Sequence, residues 1–240
     1  MDVPLHEAAS VPLDSAQLNH LIHVLRRKSG DSVLAFNGRD GEWHAVLVST
    51  GKRGFALTIG KRTRPQSSGP DLHYVFAPLK HARLDYMVQK AVELGASRLQ
   101  PVLTQHVQAA RLNLDRMRAN AVEAAQQCGI LALPDIRPAV TLDELIAGRD
   151  PLRLLVFCDE DAPVRDPVAA LSAKRPANPA ETIALAVLVG PEGGFASEER
   201  NRLNALAHTV RLSLGPRILR ADTAAIAALA LVSAVLGDWR

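Results

Sequence analysis

Ile183-Ala184-Leu185-Ala186-Val187-Leu188-Val189-Gly190-Pro191-Glu192-Gly193-Gly194 sets an unbroken apolar run directly before a glycine-bearing turn. An apolar run that short, with no polar alternation, predicts a strand covered on both faces. The turn carries a proline and three glycines in five residues and leads to a helix cap at Ser197. With so few side chains, its backbone N–H and C=O groups stand open at the strand tip, where a flat heterocycle or a carboxylate can approach closely. A structural turn that merely needs positive φ would look the same.

Outward from this stretch, strands and helices alternate. Leu152–Cys158 is a second buried strand. Leu72–Ala77, Arg98–Leu103 and Val210–Leu214 are further strands. Arg83–Leu94 reads as a helix, with Leu84, Met87, Val88, Ala91 and Leu94 on one face and Gly95 ending it. Asn113–Cys128, Thr141–Ala147, Ser197–Ala207 and the almost wholly apolar Ala221–Leu236 are the other helices, and 162–180, rich in Ala and Pro, reads as a long surface connection. That order predicts an α/β domain, a mostly parallel sheet with helices on both faces. The last helix is too apolar to lie in water, so it must pack on the sheet or on a second subunit.

The first 68 residues differ. Residues 13–27 are predicted to be helical, with Leu18, Leu21, Ile22 and Leu25 at helical spacing behind Asp14 and Ser15. Ser32–Phe36, Glu42–Val48 and Phe55–Lys61 alternate and are joined by glycine-rich turns, which predicts antiparallel hairpins in a small β-barrel or sheet. Arg64-Pro65-Gln66-Ser67-Ser68-Gly69-Pro70 is the linker, giving domains 1–68 and 71–240.

The 240 residues carry 28 Lys+Arg and 25 Asp+Glu, and the whole excess of three lies in residues 1–70, in Arg26-Arg27-Lys28, Lys52-Arg53 and Lys61-Arg62-Thr63-Arg64. Clustered cations attract phosphate backbones, so a nucleic-acid contact is one reading and a solvated surface the other. A hydrophobic share of 48% excludes a disordered chain. No apolar run reaches the roughly 18 residues of a membrane helix, and Met1–Ser10 lacks the order of a secretory signal. Cys128 and Cys158, thirty residues apart, cannot staple a scaffold, and a reduced cytosolic setting follows. The glycine and histidine spacings of dinucleotide, P-loop, G-x-S-x-G and H-E-x-x-H sites are missing, so no metal is expected; His20, His23, His44 and His106 read as surface or hydrogen-bonded residues.

Ligands of open α/β sheets bind beyond the carboxyl ends of the strands. Three loops lie there: Cys158-Asp159-Glu160-Asp161, Gly190–Gly194, and Gly215-Pro216-Arg217-Ile218-Leu219-Arg220, which runs into Ala221-Asp222-Thr223. Two arginines beside Asp222 are costly to bury unless something anionic pairs with them.

Gln89-Lys90-Ala91-Val92-Glu93-Leu94-Gly95, Leu188–Phe195 and Leu214–Ala224 closely resemble the bacterial 16S ribosomal RNA uridine-N3 methyltransferases, of the SPOUT class of knotted methyltransferases. His20–Arg26 with Gly30-Asp31 is similar to the family's PUA-like RNA-binding domain. The chain has Ala221-Asp222-Thr223 where the family has Thr-Glu-Thr, Gln126 and Ile130 within a stretch that departs from the family's Glu-Gln-x-x-Arg, and His106 where it has an arginine.

The resemblance implies a homodimer with a deep trefoil knot, which binds S-adenosyl-L-methionine and methylates a uridine of the small ribosomal subunit. The cofactor would be held by Gly190, Glu192, Gly193, Gly194, Leu214, Gly215, Ile218, Leu219 and Thr223, with Glu192 reaching either the ribose hydroxyls or the RNA. Arg220 would stabilise the uracil imide anion, and Asp222 would be the general base or orient that arginine. A structural ion pair capping the last helix is the competing reading of this pair. RNA would be positioned by Arg26, Arg27 and Lys28 with Lys80, Arg83 and Lys90, although Lys90 could simply pair with Glu93. The few aromatics favour contacts to shape and phosphate over base stacking. A ribose 2′-O-methyltransferase, or a non-catalytic assembly factor of the same fold, are the alternatives.

Overall fold

The computed structural model describes residues 3–51, 54–107, 111–163, 166–178 and 181–239. Lys52 and Arg53 of the basic clusters, and parts of the 162–180 connection, lie outside the described residues. The chain divides into two compact units, Met1–Ser68 and Gly69–Arg240.

The first unit is an antiparallel sheet in the order β1 (Ser10–Pro12), β4 (Phe55–Arg64), β3 (Glu42–Ser49), β2 (Ser32–Phe36). Its core gathers Leu5, Val11, Ala35, Ala45, Leu47, Leu57 and Ile59, with Leu21 and Ile22 packed against it. β4 runs past Lys61 because Glu42 pairs in register with Arg64, and the two side chains form a salt bridge of 2.6 Å. The helix expected over 13–27 is shorter and divided. A capping box between Asp14 and Gln17 starts α1 (Ser15–Asn19), which then widens into a π-helical turn over His20–Val24. Arg26, in the left-handed region at φ +54, lies just beyond it.

The second unit is a parallel sheet of β11 (Thr209–Leu212), β9 (Leu154–Cys158), β10 (Leu185–Val189), β5 (Leu72–Phe76), β6 (Arg98–Leu103) and β7 (Asp135–Ile136), in that order, with β8 (Val140–Thr141) also paired to β6. Every residue of β9 and β10 is buried, as apolar runs without alternation require. Val75, Val102, Leu155, Phe157, Ala186 and Leu188 pack with Leu142 of α4 (Leu142–Ala147) and Leu203 of α6 (Ser197–Asn204). α7 (Ala221–Val235) packs on β10, on α2 (His81–Glu93) and on α5 (Pro167–Ser172), while α3 (Leu114–Cys128) packs on α2. α5, begun by Asp166 and Pro167, lies within the stretch expected to be a plain connection. α7 buries Ala225, Ala228, Leu229, Val232 and Val235, and its apolar Ala224, Ala227 and Leu231 stay half-exposed.

Three strands stand side by side at one end of the sheet order. β9 lies between β10 and β11, so the chain leaving β10 crosses β9 before it forms the last strand. The carboxyl ends of all three parallel strands therefore open on the same side.

Candidate active site

Beyond those strand ends lies a groove. Its walls are Cys158, Asp159 and Glu160 after β9, Val189 to Glu192 with Gly194 and Phe195 after β10, and Leu212 to Gly215 with Arg217, Ile218 and Leu219 after β11. Ala221 and Ala224 close it from α7, and Arg200 reaches in from α6. Ile218 is 87% exposed at the rim, an apolar side chain with nothing of this chain over it.

Each glycine of the β10 turn answers a particular steric demand. A Cβ at Gly190 would overlap the ring of Phe195, itself buried and packed edge-on against Phe157 at 5.0 Å. At Gly193 it would come within 3.3 Å of the His106 Cβ. Gly194 sits at φ +66, where only glycine is unstrained, and the Gly194 N–H donates to the Pro191 carbonyl at 2.9 Å. The turn is closed on itself and bare toward the groove. The helix after it starts one residue earlier than Ser197 would cap: Ala196 is the N-cap, and its N–H donates to the Glu199 carboxylate.

The groove floor is ionic. The Asp159 side chain is 1% exposed and is met by Arg211 of β11 (Nε 2.7 Å, Nη2 2.6 Å) and by Arg200 (Nε 3.2 Å). Arg200 also reaches Asp161 at 2.6 Å. One carboxylate thus ties the tips of β9 and β11 to α6, an arrangement that burial tolerates only because every charge has a partner. Next to it, burial and the neighbouring Asp159 push the Cys158 thiol up to about 12, so it stays protonated and unreactive.

The expected residues divide. Gly190, Glu192, Gly194, Leu214, Gly215, Ile218 and Leu219 line the groove. Gly193 faces His106 instead, and Arg220, Asp222 and Thr223 sit beside the groove at the start of α7. The Arg220 side chain is exposed and has no partner among the described residues. Asp222 accepts from the Thr223 N–H at 2.9 Å, so the two do not form an ion pair. Tyr74, fully enclosed beneath this helix, has its phenol pKa raised by burial and by the nearby Cys158 and Asp222.

Of the proposed RNA contacts, Arg26, Arg27, Lys28 and Lys80 are exposed, with side chains unpaired among the described residues. Arg83 pairs with Glu192 at 3.1 Å, and Lys90 with Glu93 at 2.7 Å. The first of these ties α2 to the glycine turn. Among the described residues no cluster of His, Cys, Asp and Glu could hold a metal ion, and no helix is long and apolar enough to cross a membrane.

Asp159, Arg200, Arg211 and His106 were not placed at the site from the sequence. Asp159 belonged to a loop already marked by position, but its partners are 41 and 52 residues away along the chain and carry no local signal.

Comparison with known proteins finds two families along the chain. Residues 66–233 match the RNA methyltransferase domain family, and residues 13–60 the RNA methyltransferase PUA domain family. The chain is 29% identical over 229 residues to ribosomal RNA small subunit methyltransferase E of Rickettsia conorii, covering 95% of this chain and 91% of that protein. A methyltransferase of Legionella pneumophila, solved with the bound cofactor SAM, superposes with a TM-score of 0.78 at 26% identity, covering 97% of this chain and 94% of that one. The ribosomal RNA small subunit methyltransferase E of Neisseria gonorrhoeae, crystallised with S-adenosyl methionine, shares the fold with a TM-score of 0.85 at 23% identity over all of this chain and 98% of that one.

Proposed function

The chain belongs to the RNA methyltransferase family, and on that premise we propose that it transfers a methyl group from S-adenosylmethionine to N3 of a uridine in 16S ribosomal RNA, on the small ribosomal subunit and as a homodimer. The observation that carries this reading is the groove at three adjacent strand ends, walled on one side by a glycine turn against which Phe195 and His106 pack too closely for any side chain at Gly190 or Gly193. The naming of the Rickettsia relative and the cofactor of the Legionella structure support the substrate and the methyl donor. The crossing of β9 between β10 and β11 fits the threaded chain of the SPOUT class, and the half-exposed apolar stripe Ala224, Ala227 and Leu231 of α7 suits a face shared with a second copy.

The groove's lining suits the donor's chemistry. Backbone carbonyl and N–H groups of Gly190, Leu214 and Leu219 match the edges of an adenine and a ribose, and Leu214 with Ile218 offers apolar contact to the ring. When bound, the sulfonium supplies an electrophilic methyl carbon. The work left to the chain is to free uracil N3 of its proton and hold the resulting anion, because the neutral imide has no good lone pair there. Arg220, exposed and without a side-chain partner among the described residues at the N-terminus of α7, would donate to O2 or O4 of the base. Its position at the positive end of a helix adds to the stabilisation of negative charge. Asp222, one residue into the helix, either takes the N3 proton or orients Arg220; its engagement with Thr223 rather than Arg220 favours the first role. In the first unit, Arg26, Arg27 and Lys28 supply phosphate contacts.

The test is Arg220→Ala. Transfer to small-subunit RNA should be abolished while calorimetric binding of S-adenosylmethionine stays close to that of the wild type; near-normal turnover removes Arg220 from the mechanism. Mass spectrometry of the RNA from a deletion strain, with and without the protein restored, identifies the modified atom. A methyl group on ribose would point to the 2′-O reaction instead, and no heat with the donor would mark a non-catalytic binder.

A further inference from the structure

We propose that His106 is a positioning residue for the methyl donor, acting through the glycine turn rather than by contact with the ligand; the inference rests on the functional reading above. His106 lies in the segment that follows β6, far in sequence from the groove. Its Nδ1 faces the carbonyls of Gly193 at 3.1 Å and Gly194 at 3.2 Å together. Two acceptors converging on a single ring nitrogen require that nitrogen to carry the proton, so the imidazole donates to both carbonyls through Nδ1–H. The ring stem packs where a Gly193 side chain would be.

The segment bearing His106 is itself fixed. The Gln105 N–H donates to one oxygen of Glu199 at 2.8 Å, and the Ala196 N–H to the other at 2.9 Å. A single carboxylate therefore joins the loop after β6 to the residue that ends the glycine turn. Val107 N–H closes a turn onto the Thr104 carbonyl at 3.1 Å, which fixes the backbone that carries the exposed His106. The turn needs such a hold. Gly193 and Gly194 have the widest conformational range of any residues, and no side chain of their own restrains them. By drawing the Gly193 and Gly194 carbonyls to one side, His106 selects the conformation in which the bare face of the turn opens to the groove. Without that hold, the turn samples other conformations, and donor binding must meet the cost of ordering it.

Three variants in the full chain test this. His106→Phe keeps a flat ring against Gly193 and removes the N–H; His106→Asn places an amide N–H close to the position of Nδ1. The Kd for S-adenosylhomocysteine, read by calorimetry, should rise about fivefold in the Phe variant, the effect of one hydrogen bond, and return to within about twofold of wild type in the Asn variant. KM for the donor should follow Kd, while kcat at saturating donor and the Kd for RNA stay unchanged. Glu199→Gln, which weakens the anchor, should move donor affinity in the same direction as the Phe variant. An unchanged Kd in His106→Phe overturns the inference, and so does equal weakening in the Phe and Asn variants, which would assign the effect to ring shape. Absence of heat with the wild-type chain overturns the functional reading and this inference together, whereas binding by wild type with no response in the Phe variant overturns this inference alone.

Discussion

Asp159→Ala should cost the second unit several kcal/mol, because this buried carboxylate joins the charges of β11 and α6 to the end of β9. Its side chain is 1% exposed, and it receives Arg211 through two nitrogens, at 2.7 and 2.6 Å, and Arg200 through one, at 3.2 Å. Removing one partner from a buried ion pair costs about 3–5 kcal/mol, since the remaining charges are stranded. Here the stranded arginines keep some access to water, with side chains 20% and 27% exposed, and Arg200 retains Asp161. The low end, about 3 kcal/mol, is therefore expected. For a unit of this size each kcal/mol moves the midpoint by about 2–4 °C, so the variant should melt about 6–12 °C lower. Asp159→Asn keeps the shape and one acceptor and should lose less, because charge-assisted bonds become neutral ones. Scanning calorimetry of the whole chain is the suitable assay, because two units can melt separately and a single-transition analysis would blur them. A midpoint for Asp159→Ala within about 2 °C of wild type would refute the reasoning and show that solvent screens the arginines far better than their burial implies.

Burial, with Arg153 and Arg98, holds His73 neutral, its pKa down to about 4 from 6.5; an unfolded chain binds the extra proton sooner, so stability is lost as pH falls from about 6.5 to about 4. His73→Gln should flatten the midpoint-against-pH slope in that window, and a slope identical to wild type would count against it. Buried Cys158 and exposed Cys128 should differ in labelling by a disulfide reagent at mild pH, one thiol reacting in the native chain and two after denaturation; fast labelling of both would show that the groove floor opens. Gly190→Ala forces its methyl into the Phe195 ring, at a cost of about 1–3 kcal/mol, and should weaken donor binding; Phe195→Leu in the same chain should restore it, and failure of that rescue would place the defect in the backbone.

The sheet was legible because its central strands are buried on both faces: β9 and β10 have no polar position, and their ends fell within two residues of the expected ones. β7 and β8, two residues each, are too short for any period to show. α5 was concealed by prolines and alanines, which read equally as connection and as helix start. At the site, the glycine turn was visible because bare backbone is a local property. The ionic floor was not, since Asp159 finds Arg211 only once β11 is laid beside β9. Arg83 and Lys90, expected to position RNA, pair with Glu192 and Glu93; the second pairing was open from the i, i+3 spacing, whereas that of Arg83 across 109 residues could not be read from spacing.

Because β9 is flanked by β10 on one side and β11 on the other, the groove has no complete wall until residues 209–224 are in place. During translation the emerging polypeptide completes residues 1–68 long before that, whereas the groove is walled only once the closing strand and the start of α7 have been made. On the proposed reading, a polypeptide cut short ahead of residue 209 keeps its first unit but lacks the walls that β11 and α7 give the groove, and it should lose S-adenosylmethionine binding.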